Sequence, residues 1–316
     1  MDENEVRAAV AAVAGARATV RADGARIGVV VDATGLDAHA RDALEAAVKM
    51  AAGPAARVVV TAERVGRRLI AVASGKGGVG KSTLAANLAI ALSLAGRRIG
   101  LVDADIYGPS QPRLMAAEGV RPEARDKVLL PVATPYGVPM LSIGQLVPEG
   151  QAIAWRGPMV AGALTQLVDA DWGVADTLVL DLPPGTGDVQ LTMIQKHRPA
   201  GAVIISTPQD LALIDARRAI DLFRKAGVPI IGLVENMAGY ACPHCGEISD
   251  PFGQGGAEAA AASLGVPFLG RVPLTIAIRV ASDAGTPPAA DPADATFRPI
   301  AARLAAWLET AGGDAR

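Results

Sequence analysis

Gly75-Lys76-Gly77-Gly78-Val79-Gly80-Lys81-Ser82 satisfies the spacing G-x-x-x-x-G-K-[ST] directly after an apolar run that ends at Ala73. Glycines at this spacing let a loop fold around a phosphate, so that backbone N–H groups and the start of the next helix meet its negative charge. Lys81 is then placed for the β and γ phosphates, and Ser82 can put its hydroxyl on Mg²⁺. Gly75, Gly77, Gly78, Val79, Gly80, Lys81, Ser82 and Thr83 together are the expected nucleotide-binding segment. Lys76 is not required by this pattern. It either faces solvent, acts on its own loop or acts on a second subunit.

Two further apolar runs end in carboxylates. Arg98 to Val102 leads into Asp103-Ala104-Asp105, and Thr177 to Leu180 leads into Asp181. Ligands of open α/β sheets bind at the carboxyl ends of strands, so these acids sit where a ligand would. Asp181 has the position of an aspartate that holds Mg²⁺ through water; Asp103 and Asp105 either serve the same chemistry or cap a turn. Pro183-Pro184-Gly185-Thr186-Gly187-Asp188 follows, a tight loop whose N–H groups can sense a γ phosphate or simply turn the chain. Cys242-Pro243-His244-Cys245-Gly246 contains both cysteines of the chain. Two thiolates are half of a four-ligand zinc or [4Fe-4S] site, which a symmetric dimer could complete. His244 is a possible extra ligand, although a solvent-facing role suits it better. A redox dithiol is the remaining functional reading.

These groups need elements to hold them. Leu69–Ala73, Arg98–Val102, Val138–Ser142, Thr177–Leu180, Ala202–Ser206, Ile230–Val234 and Pro267–Gly270 read as strands whose unbroken apolar character suits burial on both faces. Helical patterns cover Ser82–Ala95, Met159–Ala170, Val189–Lys196, Leu211–Ala226 and Ala257–Leu264. The alternation predicts an α/β fold: a P-loop NTPase with a mostly parallel sheet flanked by helices. Residues 1–64 differ, with Ile27–Val31, a helix-like His39–Ala52 and Val58–Val60 suggesting a small α+β domain. Residues 65–68 read as a linker, 69–290 as the ATPase domain and 291–316 as a C-terminal helix, about Ala295 to Leu308, with a tail. The stretch from Gly285 to Pro292 is a loop by composition.

Composition narrows the field. With 30 basic and 32 acidic residues the net charge is -2, so no basic field invites nucleic acid, and aromatic residues at 3% are too few for base stacking. The 51% hydrophobic fraction is largely alanine and gives no uninterrupted apolar window of membrane length. The acidic opening Met1-Asp2-Glu3-Asn4-Glu5 is unlike a secretory signal. A cytoplasmic protein without membrane or nucleic-acid partners is expected.

GKGGVGKST at 75–83, DADIYGPSQP at 103–112, WRGPM at 155–159, DLPPGTGD at 181–188, TPQD at 207–210, ENM at 235–237 and CPHC at 242–245 together resemble an Mrp/ApbC-type iron-sulfur cluster carrier ATPase. That family belongs to the deviant P-loop group of ParA, MinD, ArsA and the nitrogenase iron protein, and the resemblance spans about residues 69–290. It implies ATP and Mg²⁺ binding, slow hydrolysis, a homodimer, and delivery of a [4Fe-4S] cluster to apo iron-sulfur proteins. By the same resemblance Lys76 reaches the partner's phosphates, and Asp105 positions or deprotonates the attacking water. Asp103 supports the Mg²⁺ shell, Asn236 contacts adenine, and Cys242 with Cys245 holds the cluster between subunits. Residues 1–64 resemble more weakly the N-terminal domain of many relatives, but the stretch Thr34-Gly35-Leu36-Asp37-Ala38-His39 lacks the cysteine often found there.

Two rivals share these motifs. A ParA/MinD-type positioning ATPase would end in a basic amphipathic membrane helix. The stripe Ile300, Leu304, Trp307 and Leu308 instead has only Arg298, Arg303 and Glu309 as charged neighbours, so packing on its own domain is expected. A zinc-bridged dimeric ATPase would use the same thiolates.

Overall fold

The computed structural model describes residues 3–23, 26–34, 36, 38–54, 56–61, 66–146 and 157–310. The chain falls into two compact units, Met1–Arg67 with Asp171–Asp176, and Arg68–Ala170 with Thr177–Arg316. The first runs α1 (Glu3–Ala14), β1 (Ala18–Asp23), β2 (Arg26–Asp32), α2 (Ala38–Ala52) and β3 (Ala56–Thr61). β2 is central, antiparallel to β1 and parallel to β3. Val6, Val10 and Ala14 of α1 share a core with Val20, Val29, Val31, Val48 and Ala52. α1 and β1 were not expected from the sequence. The α1 stripe is one residue wide among alanines, and β1 buries a single large side chain, Val20.

The second unit opens with β4 (Arg68–Ala73), α3 (Lys81–Leu94), β5 (Ile99–Asp103), α4 (Gln111–Leu114), the hairpin β6 (Ala124–Arg125) and β7 (Val128–Leu129), and β8 (Met140–Ser142). It continues with α5 (Gly157–Val168), β9 (Thr177–Asp181), α6 (Asp188–His197), β10 (Gly201–Ser206), α7 (Asp210–Lys225), β11 (Ile230–Ala241) and β12 (Ile248–Ser249). α8 (Gly256–Leu264), β13 (Phe268–Leu274), α9 (Ile276–Asp283) and α10 (Phe297–Thr310) complete it. One 8-stranded sheet has the order β12-β11-β10-β4-β9-β5-β8, with β13 also on β11. Every pair but β11–β12 is parallel. Connections leave β4 toward β5 and β9 toward β10 on opposite sides, so the chain reverses direction beside β4 and β9, where open sheets bind ligands.

Register then dictates geometry. Asp181 lies opposite both Val72 of β4 and Asp103 of β5, which brings two carboxylates side by side without any loop. α3 lies almost wholly inside, from Leu84 to Leu92, where alternating Ala and Leu or Ile side chains let it press against the sheet. α10 buries Phe297, Ile300, Ala301, Leu304 and Leu308 in that core. Its start is capped by Asp294, whose Oδ2 accepts from the N–H groups of Phe297 at 2.8 Å and Arg298 at 3.1 Å. Among the described residues no helix is long and apolar enough to cross a membrane.

Several elements of this unit differ from the sequence reading, among them α4, the β6–β7 hairpin and β12, which are additional. β11 runs on to Ala241 and β13 to Leu274, well past the expected ends. α9 is an additional helix, started by Thr275 Oγ1, which accepts from the Ile278 N–H at 3.2 Å. The loop after Gly285 contains a 3₁₀ turn at Pro288–Ala290, tied down by the Ala289 N–H donating to Asn87 Oδ1 at 2.8 Å.

Candidate functional site

The loop after β4 has the conformation its glycines permit. Gly78 and Gly80 have φ of 77° and 87°, the left-handed region that side chains rarely adopt. A Cβ on Gly80 would stand 2.1 Å from Asn236 Nδ2, and one on Gly75 would stand 2.1 Å from the backbone of Asp215. No side chain caps the start of α3 at Gly80. Its first N–H groups therefore point at the loop's hollow with no side-chain acceptor, the arrangement that receives an anion.

Lys81 is 6% exposed and sits among acids. Its Nζ donates to Asp181 Oδ1 at 2.6 Å, to Asp105 Oδ2 at 3.3 Å and to Ser82 Oγ at 3.3 Å. Burial pulls its pKa down, but Asp181, then Asp105 and Asp103, outweigh that and leave it raised. Lys81 is thus the counter-ion of the carboxylates around it. Asp103 is fully buried and accepts from the Ser142 hydroxyl at 2.9 Å, the Gln111 N–H at 3.1 Å and the Asp105 N–H at 3.2 Å. Even so, burial first and the Asp181 charge second push its pKa from 3.8 up to about 7. A hydroxyl and two facing carboxylates are hard oxygen donors, and a divalent cation would relieve their repulsion. The donor set fits Mg²⁺.

Stability should register this. Because Asp103 holds its proton more tightly in the folded than in the unfolded chain, the ligand-free protein should lose stability as pH climbs through the window from 3.8 to about 7. Asp103→Asn should flatten that slope, as read from urea midpoints across the window. An unchanged slope would assign the titration elsewhere.

The loop after Asp181 is pinned to the phosphate loop: the Gly185 N–H donates to the Ser74 carbonyl at 2.9 Å. Lys76 is half-buried, and among the described residues it has no carboxylate partner. Trp155 and Arg156 lie outside the described residues. Asn236 donates through Nδ2 to the Val79 carbonyl at 2.7 Å, fixing the middle of β11 against the phosphate loop. Beside it opens a cavity of about 360 Å³ lined by Gly80, Thr83, Met237, Leu274, Thr275 and Ser282, among others. Of these only Gly80, Thr83 and Asn236 were anticipated. Met237 carries a readable structural signal only in its backbone, with φ of 59°.

The thiols lie just past the end of the strand that carries Asn236. After Ala241 the chain turns sharply: the Gly246 N–H donates to the Cys242 carbonyl at 2.8 Å, with Gly246 at φ 74°. The backbone N–H groups of Cys245 and His244, followed by the Cys245 side chain, lower the Cys242 thiol pKa. This favours the thiolate that ligates metal. His244 is exposed, and among the described residues no third Cys, His, Asp or Glu joins the two thiols.

A phosphate loop, acids on neighbouring strand ends and an open thiol pair agree with what known proteins show. The model of a family described as "NUBPL iron-transfer P-loop NTPase", within ParA, matches residues 66–307. The chain belongs to this family. This NUBPL-type NTPase is an ATPase. It is 52% identical over 229 residues to an "Iron-sulfur cluster carrier protein" of Pseudomonas fragi, covering 72% of this chain and 80% of that one. It is 46% identical to a protein of the same description from Escherichia coli K12, covering 77% and 67%. Among solved structures it resembles a nucleotide-binding protein of Archaeoglobus fulgidus in complex with ADP, at 37% identity and TM-score 0.63, covering 73% and 90%. The cell-division ATPase MinD of Pyrococcus furiosus, at 24% identity and TM-score 0.56 over 76% and 99%, shares the fold.

Proposed function

We propose that the protein is a cytoplasmic, ATP-dependent carrier that binds a [4Fe-4S] cluster between two copies of itself and hands it to apo iron-sulfur proteins. The observation that supports this reading is one sheet with the glycine-rich loop, Lys81 and the acids at the ends of β4, β5 and β9, and with Cys242 and Cys245 in the turn that follows β11. The cluster is cargo, held by Cys242 and Cys245 of each copy.

At the other end Lys81 would leave Asp181 for the β and γ phosphates, while the N–H groups at the start of α3 receive the same charge. Asp181, Asp103 and Ser82 would hold Mg²⁺, which neutralises phosphate charge. Asp105, already within reach of the lysine, would orient the attacking water and take its proton. Asn236 and the adjoining cavity would seat the base. Lys76, which among the described residues has no carboxylate partner, would be available to a second copy's phosphates.

Two substitutions separate binding from turnover. Lys76→Ala should bind ATP as tightly as the parent yet lose hydrolysis, and Asp105→Ala should bind ATP with Mg²⁺ but turn over at least ~10²-fold more slowly. Steady-state phosphate release beside equilibrium titration reads both. Full hydrolysis by Lys76→Ala would remove its cross-subunit role. The carrier reading is tested by reconstituting the protein anaerobically, mixing it with an apo-enzyme that needs a [4Fe-4S] cluster, and following enzyme activation with and without ATP. No activation above that by free iron and sulfide would overturn it.

A further inference from the structure

Gln111 lies inside the segment DADIYGPSQP but has no role assigned from the sequence, and its side chain is fully buried at the centre of the phosphate end. It opens α4, and its backbone N–H donates to Asp103 Oδ2 at 3.1 Å. Its side-chain Nε2 donates to the Ser82 carbonyl at 2.9 Å and to Asp181 Oδ2 at 2.8 Å. Those two acceptors settle which way the amide faces, since the reversed amide would set its oxygen against a carbonyl and a carboxylate. Both N–H bonds are therefore made. The oxygen, Oε1, is buried and has no partner.

An unpartnered buried acceptor on an amide tied to Asp181 and Ser82 needs a donor. Buried polar atoms nearly always have one, and the exceptions mark a missing water or ion. ATP brings only acceptors on its phosphates. Mg²⁺ brings donors, because it sheds water reluctantly and keeps several in its shell when bound by one or two carboxylates and phosphates. We infer that Gln111 is a positioning residue for the metal: its Oε1 accepts a hydrogen bond from a Mg²⁺-bound water while its Nε2 keeps Asp181 turned toward the ion. This rests on the ATP–Mg²⁺ reading of the site and adds to it a residue that selects the metal-loaded nucleotide.

The test uses the full chain and a fluorescent ATP analogue, titrated in EDTA and across Mg²⁺ concentrations. Gln111→Met, close in volume and without polar atoms, should bind the analogue in EDTA as the parent does but need about tenfold more Mg²⁺ to reach its tight-binding midpoint, the lower end for losing an outer-shell partner. Gln111→Asn keeps both the donor and the acceptor of the amide on a shorter stem and should return the midpoint to within about threefold of the parent. It also serves if Gln111→Met fails to fold. A Gln111→Met midpoint equal to the parent's, an equal loss in EDTA and in Mg²⁺, or a Gln111→Asn as impaired as Gln111→Met would each overturn the assignment and leave the amide a structural tie. A parent with no Mg²⁺ dependence would instead overturn the ATP–Mg²⁺ reading.

Discussion

Lys81→Ala is expected to abolish ATP binding and also to destabilise the protein that has no ATP to bind. The first effect follows from removing the cation at the β and γ phosphates. Charged hydrogen bonds of this kind contribute about 1.5–3 kcal/mol each, so affinity should fall at least ~10²-fold. The second follows from the ligand-free geometry, in which the ammonium lies 2.6 Å from Asp181 and 3.3 Å from Asp105. Removing one partner of a buried pair leaves uncompensated charge and costs about 3–5 kcal/mol. Asp103, with its pKa near 7, can take up a proton to relieve part of this. The loss should therefore be smaller at about pH 6 than at about pH 8. Calorimetric titration with ATP and urea unfolding at both pH values read the two effects. A variant as stable as the parent at the higher pH would show that the lysine does not balance these acids.

The second large effect concerns the cysteines. With two thiolates per chain and no third ligand beside them among the described residues, a four-ligand cluster requires two chains. Anaerobic reconstitution should give four irons per two chains and absorbance in the visible region. Cys242→Ala and Cys245→Ala should each lose that absorbance while keeping the parent's ATP affinity, because the phosphate end contains no cysteine. Cys242 carries the lowered thiol pKa, from the N–H groups of Cys245 and His244. The turn that holds the two thiols is closed by the Gly246 N–H, which donates to the Cys242 carbonyl at 2.8 Å. Four irons per monomer, or a full-intensity cluster in either variant, would mean ligands other than these. Zinc in place of iron, with no visible absorbance, would favour a stapled ATPase over a carrier.

The residues of the phosphate end were legible because their chemistry is fixed by spacing. Glycines at set intervals, a lysine and hydroxyl at the helix start, and acids after unbroken apolar runs leave few alternative structures. Gln111 was not legible, because nothing in Pro-Ser-Gln-Pro shows that register across β5 and β9 will enclose it. The far half of β11 was missed for a related reason: Met237-Ala238-Gly239-Tyr240-Ala241 has neither alternation nor an apolar run, and pairing with β12 and β13 alone makes it strand. α9 follows β13 with one residue between and shows an apolar face only once Thr275 is known to cap it. In the N-terminal unit, alanine obscures the period of α1, since a residue that suits every face marks none.

β11 faces β13 residue for residue at Asn236 and Val272 and again at Tyr240 and Leu274, so it spends two more residues than its neighbour over that span. The surplus holds Met237 at φ 59° and Gly239 at φ 73°. In mechanical terms this is slack between two anchored points. A left-handed glycine and its neighbours thus stand between Cys242 and Asn236, which is itself fastened to the phosphate loop at 2.7 Å. Met237 and Leu274 line the cavity beside Asn236, so a displacement arriving from the thiols meets the cavity wall at this surplus before it meets the phosphate loop. The strand behaves as a stiff handle with a compliant tip.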